Sequence, residues 1–82
     1  MGVEVRYFAG AAAAAGTDGE RVDVADGATV GSLLDQLAAV RPRLAPVLEV
    51  ASVILDEVVV RDRALALRDG AQVDVLPPFA GG

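Results

Sequence analysis

The residues best suited to chemistry stand at the carboxyl end, in the run Leu76-Pro77-Pro78-Phe79-Ala80-Gly81-Gly82. Pro77 and Pro78 stiffen the exit from the preceding segment in an extended form. Gly81 and Gly82 strip the last stretch of side chains, so other groups can approach its carbonyls closely, and such a tip suits a narrow tunnel. The reactive group this leaves is the α-carboxylate of Gly82, which is ionised at neutral pH and a poor electrophile until a partner activates it, for example as a mixed anhydride with AMP. Phe79 and Ala80 complete this segment.

The rest of the composition excludes most other chemistry. The 82 residues contain no Cys and no His, and all seven basic residues are Arg. The chain therefore lacks a thiol nucleophile, an imidazole base, a Schiff-base amine and the soft metal ligands, and no metal site is expected. A net charge of −5 with a pI near 4.4 argues against a nucleic-acid partner and suits a basic protein partner. No apolar run reaches transmembrane length, and Met-Gly-Val-Glu-Val-Arg has neither a secretory pattern nor a Ser or Thr at position 6 for myristoylation. The expectation is a cytoplasmic protein of one domain, not bound to a membrane, with residues 1–76 folded and 77–82 an extended tail taken as the natural end.

The elements that must carry this tail follow from hydrophobic periodicity. Val3, Val5 and Tyr7 alternate with Glu4, Arg6 and Phe8, the period-two pattern of a strand with one buried face. Residues 9–19, with five consecutive alanines between Gly10 and Gly16, read as a long hairpin loop with room for one helical turn, because so short a run does not by itself offset helix nucleation. Glu20 to Val24 alternates again and predicts a second strand paired with the first. Thr29 is placed to cap a helix near Ser32, with Val30, Leu33, Leu34, Leu37, Ala38 and Val40 as its apolar face. Pro42 ends that helix and a linker runs through Pro46. Val50 to Leu55 and Val58 to Val60 flank Asp56-Glu57 as a short hairpin. Residues 61–69 are a charged connection anchored by Leu65 and Leu67, and Asp69-Gly70 turns the chain into a last strand, Gln72 to Leu76, with Val73 and Val75 inward. Strand, strand, helix and three returning strands make an α+β fold, a mixed five-stranded sheet packed on one main helix, the arrangement called a β-grasp.

Phe8 and Leu76 break the polar pattern of the outward face. With the first and last strands as neighbours, they form an apolar patch on the side away from the helix, either a partner surface or isolated exposed residues of the ordinary kind.

Taken together, Val5-Arg6-Tyr7-Phe8-Ala9, Thr29-Val30-Gly31-Ser32-Leu33-Leu34, Leu67-Arg68-Asp69-Gly70 and Val75-Leu76-Pro77-Pro78-Phe79-Ala80-Gly81-Gly82 resemble the ubiquitin-like sulfur carriers. The likeness is strongest to the MoaD family, the small subunit of molybdopterin synthase, with the ThiS carriers of thiamine synthesis beside it. The resemblance implies a sulfur carrier with no catalytic side-chain constellation and no bound cofactor of its own. A MoeB-like enzyme would use ATP to adenylate Gly82, and a sulfur donor would convert it to a thiocarboxylate. The tail would then enter a MoaE-like large subunit, as part of a heterotetramer, and deliver sulfur to precursor Z, cyclic pyranopterin monophosphate. Phe8, Val58 and Leu76 fall at positions corresponding to the family's hydrophobic contact surface. Two departures stand out: Asp56-Glu57 replaces an Asn-containing turn, and Phe79 a smaller residue. The alternatives are a carrier for thiamine or cysteine synthesis, a ubiquitin-like protein modifier, and an interaction-only module.

Overall fold

The computed structural model describes residues 1–78. In chain order its elements are β1 (Gly2–Tyr7), α1 (Gly10–Ala15), β2 (Gly19–Asp23), α2 (Val30–Val40), a 3-10 turn (Pro42–Leu44), α3 (Ala45–Val50), β3 (Ser52–Leu55), β4 (Val58–Val59) and β5 (Gln72–Leu76). The five strands form one sheet in the order β2-β1-β5-β3-β4. The central pair, β1 and β5, is parallel, and the other three pairings are antiparallel, so the sheet is mixed as the sequence pattern predicts.

Alternation decides which face is covered. Val3, Val5 and Tyr7 of β1, Val53 of β3, and Val73 and Val75 of β5 are all buried under the helices, while their neighbours point to the other side. Val30, Leu33, Leu34 and Leu37 of α2 supply the facing stripe at three-and-four spacing. Thr29 caps that helix as expected: its hydroxyl accepts from the Ser32 amide at 3.1 Å, and the Ser32 hydroxyl accepts in return from the Thr29 amide at 2.8 Å. Gly70, at φ 80°, occupies the left-handed conformation that the turn into β5 requires.

Five expectations are corrected. The alanine segment is not merely a loop: Gly10–Ala15 is a helix whose Ala11 and Ala15 enter the core. Tertiary packing overrides the nucleation cost here, because a methyl is the side chain that lets a short helix lie close against the sheet. The stretch through Pro46 is helical too, since both prolines fall in first turns, where a missing N–H costs nothing, and Leu44 and Leu48 are buried. The main helix is thus joined by two short ones, and the extended run that was expected from Val50 begins only at Ser52. Val40, in the last turn of α2, is 70% exposed, and Leu65 is 47% exposed, leaving Leu67 as the anchor of the connection.

The short helix α1 is locked from a distance. Gly16, at φ 78°, closes it by donating its backbone N–H to the Ala12 carbonyl at 2.9 Å. Arg41, just beyond α2, donates to the Ala15 carbonyl and forks onto Glu20 of β2, Nε to Oε2 at 2.9 Å and Nη2 to Oε1 at 3.1 Å. Tyr7 donates to the same carboxylate at 2.6 Å. Burial, the Glu20 hydrogen bond and the Glu20 charge all push the Tyr7 hydroxyl above its ordinary value, and the Arg41 hydrogen bond is the largest influence holding Glu20 below its own.

Candidate functional site: the open sheet face and the tail exit

The helices cover one face of the sheet, and the other carries the outward residues of every strand. Register places Arg6 beside Asp74 across the parallel β1–β5 pair, and Glu4 beside Arg21 across β1–β2. Both are ion pairs: Arg6 Nε lies 2.9 Å from Asp74 Oδ1, and Arg21 Nη1 lies 3.6 Å from Glu4 Oε1. This half of the face therefore carries balanced charge.

The other half is apolar. Phe8 follows the end of β1, is 39% exposed, and donates its backbone N–H to the Val75 carbonyl at 3.0 Å, which holds it against the end of β5. Leu76 is the last residue of β5 and half-buried. The two expected patch residues thus end neighbouring strands, both on the face away from the helices. Ile54, partner of Asp74, and Val59, partner of Ile54, continue this face onto the hairpin. Val58 is well exposed, but its register partner is Leu55, itself paired with Val73, so Val58 lies at the sheet edge on the helix side. The hairpin turn has both Asp56 (φ 46°) and Glu57 (φ 71°) in the left-handed region, which Asn or Gly adopts more readily. Asp56 compensates by accepting from the Gln72 amide at 2.9 Å and by pairing with Arg68 Nε at 3.2 Å.

The tail leaves from the apolar half, since Pro77 and Pro78 follow Leu76 directly. Pro77 is half-buried and Pro78 exposed. Phe79, Ala80, Gly81 and Gly82 lie outside the described residues. Among the described residues, no group of three or more His, Cys, Asp or Glu side chains is placed to hold a metal ion, and no helix is long and apolar enough to cross a membrane. What the geometry offers is an exposed, partly apolar sheet face at the point where the chain leaves β5. Sequence reasoning found Phe8 and Leu76 by alternation but not the Arg6–Asp74 pair or the contribution of Ile54 and Val59. A signal for the pair existed, in opposite charges at outward positions of two strands expected to be neighbours.

A mixed five-stranded sheet in the order β2-β1-β5-β3-β4 with a main helix on one face defines the class of ubiquitin-like β-grasp proteins. Within it the chain belongs to the ThiS family, whose pattern matches residues 5–82. The chain is 35% identical over 83 aligned residues, spanning 100% of both proteins, to the molybdopterin synthase sulfur carrier subunit of Chlamydomonas reinhardtii. Among solved structures it is similar to small archaeal modifier protein 1 of Haloferax volcanii, with 29% identity and a TM-score of 0.85 over 95% of this chain and 98% of that one. A chain from the complex of subunits 1 and 2 of the molybdopterin-converting factor of Helicobacter pylori shares the fold, with a TM-score of 0.74 at 23% identity over 100% of each chain.

Proposed function

We propose that this chain is the sulfur carrier subunit of a molybdopterin synthase and that its working atom is the terminal carbonyl carbon of Gly82. The observation that carries the reading is the full-length 35% identity to a molybdopterin synthase sulfur carrier subunit. The family pattern's extension through Gly81 and Gly82 supports it. A carboxylate oxygen of Gly82 attacks the α-phosphorus of ATP on a MoeB-like activating enzyme, and pyrophosphate leaves. Sulfide-level sulfur from a donor then attacks the acyl carbon, AMP leaves, and a thiocarboxylate remains. The chain needs no thiol, imidazole or amine for this, because the partner supplies the activation and the tail supplies the electrophile. A MoaE-like large subunit receives Phe79 to Gly82 and passes the sulfur to precursor Z. Phe8 and Leu76 take part in docking, with Ile54 and Val59 on the same face in place of Val58, and the net charge of −5 favours a basic partner surface. ATP is consumed on the activating partner, and the work takes place in the cytoplasm.

Co-expression with a large subunit and an activating enzyme tests the reading. The intact chain is expected to copurify with the large subunit and to support molybdopterin formation, and deletion of Gly82 to abolish the product while leaving the complex. Product that persists without Gly82 overturns the proposal. The likeness to a small archaeal modifier protein favours a second reading, in which the activated glycine is transferred to lysines of other proteins. Recovery of Gly82 in isopeptide bonds on cellular proteins would support it. A large subunit from thiamine or cysteine synthesis in the purified complex would redirect the sulfur to that pathway.

A further inference from the structure

We propose that Arg6 and Asp74 are positioning residues that hold the Phe8 ring in its docking orientation, an inference that rests on the large-subunit partner proposed above. Arg6 and Asp74 are register partners in the parallel β1–β5 pair at the centre of the sheet. Arg6 donates twice, Nε to Oδ1 at 2.9 Å and Nη2 to Oδ2 at 3.2 Å, so both oxygens of the carboxylate fix the plane of the guanidinium. Gln72 Nε2 donates to the same carboxylate at 3.3 Å. The Asp74 side chain is only 15% exposed, so the acceptor is the anchored member, and the Arg6 pKa is raised chiefly by this hydrogen bond. The fixed guanidinium lies with its Cζ 5.6 Å from the centre of the Phe8 ring, within the range of a cation–π contact.

The backbone of Phe8 is held as well. Its N–H donates to Val75 and its carbonyl accepts from Ala11, each at 3.0 Å. Ala9 follows at φ 50° and ψ −122°, a conformation that L-residues rarely adopt. With the Arg6 side chain 53% exposed, the ion pair adds little to fold stability. It does remove rotamer freedom from an exposed aromatic side chain before a partner arrives, and that lowers the cost of docking. Arg suits the task better than Lys, because its planar fork matches the carboxylate and the ring face together. On docking, water leaves the Arg6–Phe8 contact and strengthens it.

The test is a double-mutant cycle on the full chain, with affinity for the large subunit measured by calorimetry for wild type, Arg6→Ala, Phe8→Ala and the double variant. Arg6→Ala is expected to weaken binding about threefold to tenfold when Phe8 is present, and less than about twofold when it is absent. An equal loss in both backgrounds would show that Arg6 touches the partner itself, and the positioning role would fall. A second measurement needs no partner. In the isolated chain the ring current of Phe8 should shift the Arg6 Hδ resonances; Phe8→Leu should abolish the shift and Asp74→Asn should reduce it. An unchanged shift in Asp74→Asn overturns the positioning role whatever the partner does. Failure of the wild-type chain to bind any large subunit would instead refute the parent reading, and the resonance shift would still decide this one.

Discussion

Replacing Glu20 with alanine removes one carboxylate that serves two donors from different elements. Tyr7 is 2% exposed and its hydroxyl lies 2.6 Å from Glu20 Oε2, so the change orphans a buried donor at a cost of about 1–3 kcal/mol. The Arg41–Glu20 pair is a quarter to a third exposed, with side chains at 30% and 25%, and contributes at most about 1 kcal/mol. Water reaching the rim partly satisfies the hydroxyl, which brings the expected total to about 2–3 kcal/mol. Tyr7→Phe deletes only the donor and is expected to cost about 1 kcal/mol. The double variant has no orphaned hydroxyl, so its cost should fall short of the sum by about 1 kcal/mol. Urea unfolding of the four proteins, monitored by circular dichroism, reads these values, and at about 4–8 °C per kcal/mol the Glu20→Ala melting shift is large enough to confirm them. Additivity within about 0.3 kcal/mol would refute the claim that Tyr7 depends on Glu20.

Other consequences can be measured on the same preparation. Phe8→Asp should weaken partner binding and leave the melting temperature nearly unchanged, whereas unfolding would show that Phe8 belongs to the core. Leu48→Ala, at a buried position of α3, should cost about 2–4 kcal/mol, and Leu65→Ser, at a half-exposed position, less than about 1 kcal/mol. A reversed order would refute the assignment of these leucines. Acid should destabilise the fold. Glu20 is held below its ordinary value chiefly by Arg41, and Asp69 below its own chiefly by the Gly2 amide, which donates to it at 2.8 Å. Both carboxylates bind protons less tightly folded than unfolded, so their contribution is present above their unfolded values near pH 4 and is lost as pH falls through the folded values. A urea midpoint that rises between pH 5 and pH 3 would contradict that sign.

What the sequence made legible was local. Period-two alternation located the strands of the buried face, Thr29 with Ser32 marked the start of α2, and Asp69-Gly70 marked the turn into β5. The features that escaped depend on residues far apart in the chain. The helix α1 is completed by Arg41, which reaches the Ala15 carbonyl across 26 positions, and no property of five alanines announces that donor. Pro42 and Pro46 look like helix breakers until the segments beginning beside them are seen to start there, with Leu44 and Leu48 giving each a buried contact. Leu65 and Leu67 lie in a connection without regular period, so nothing local separates the exposed one from the anchor. On the open face, alternation identified Phe8 and Leu76, but the β3–β4 register was needed to separate Val59 from Val58. The tail depends on chemistry more than on packing, which is why its residue types alone suggested a role.

The carrier claim is tested most directly by the intact mass of the chain after incubation with ATP, an activating enzyme and a sulfur donor. One oxygen should be exchanged for one sulfur, fragmentation should map the exchange to Gly82, and the gain should disappear when Gly82 is deleted. A chain that keeps its original mass while still supporting molybdopterin formation, or that gains sulfur anywhere other than Gly82, would contradict it.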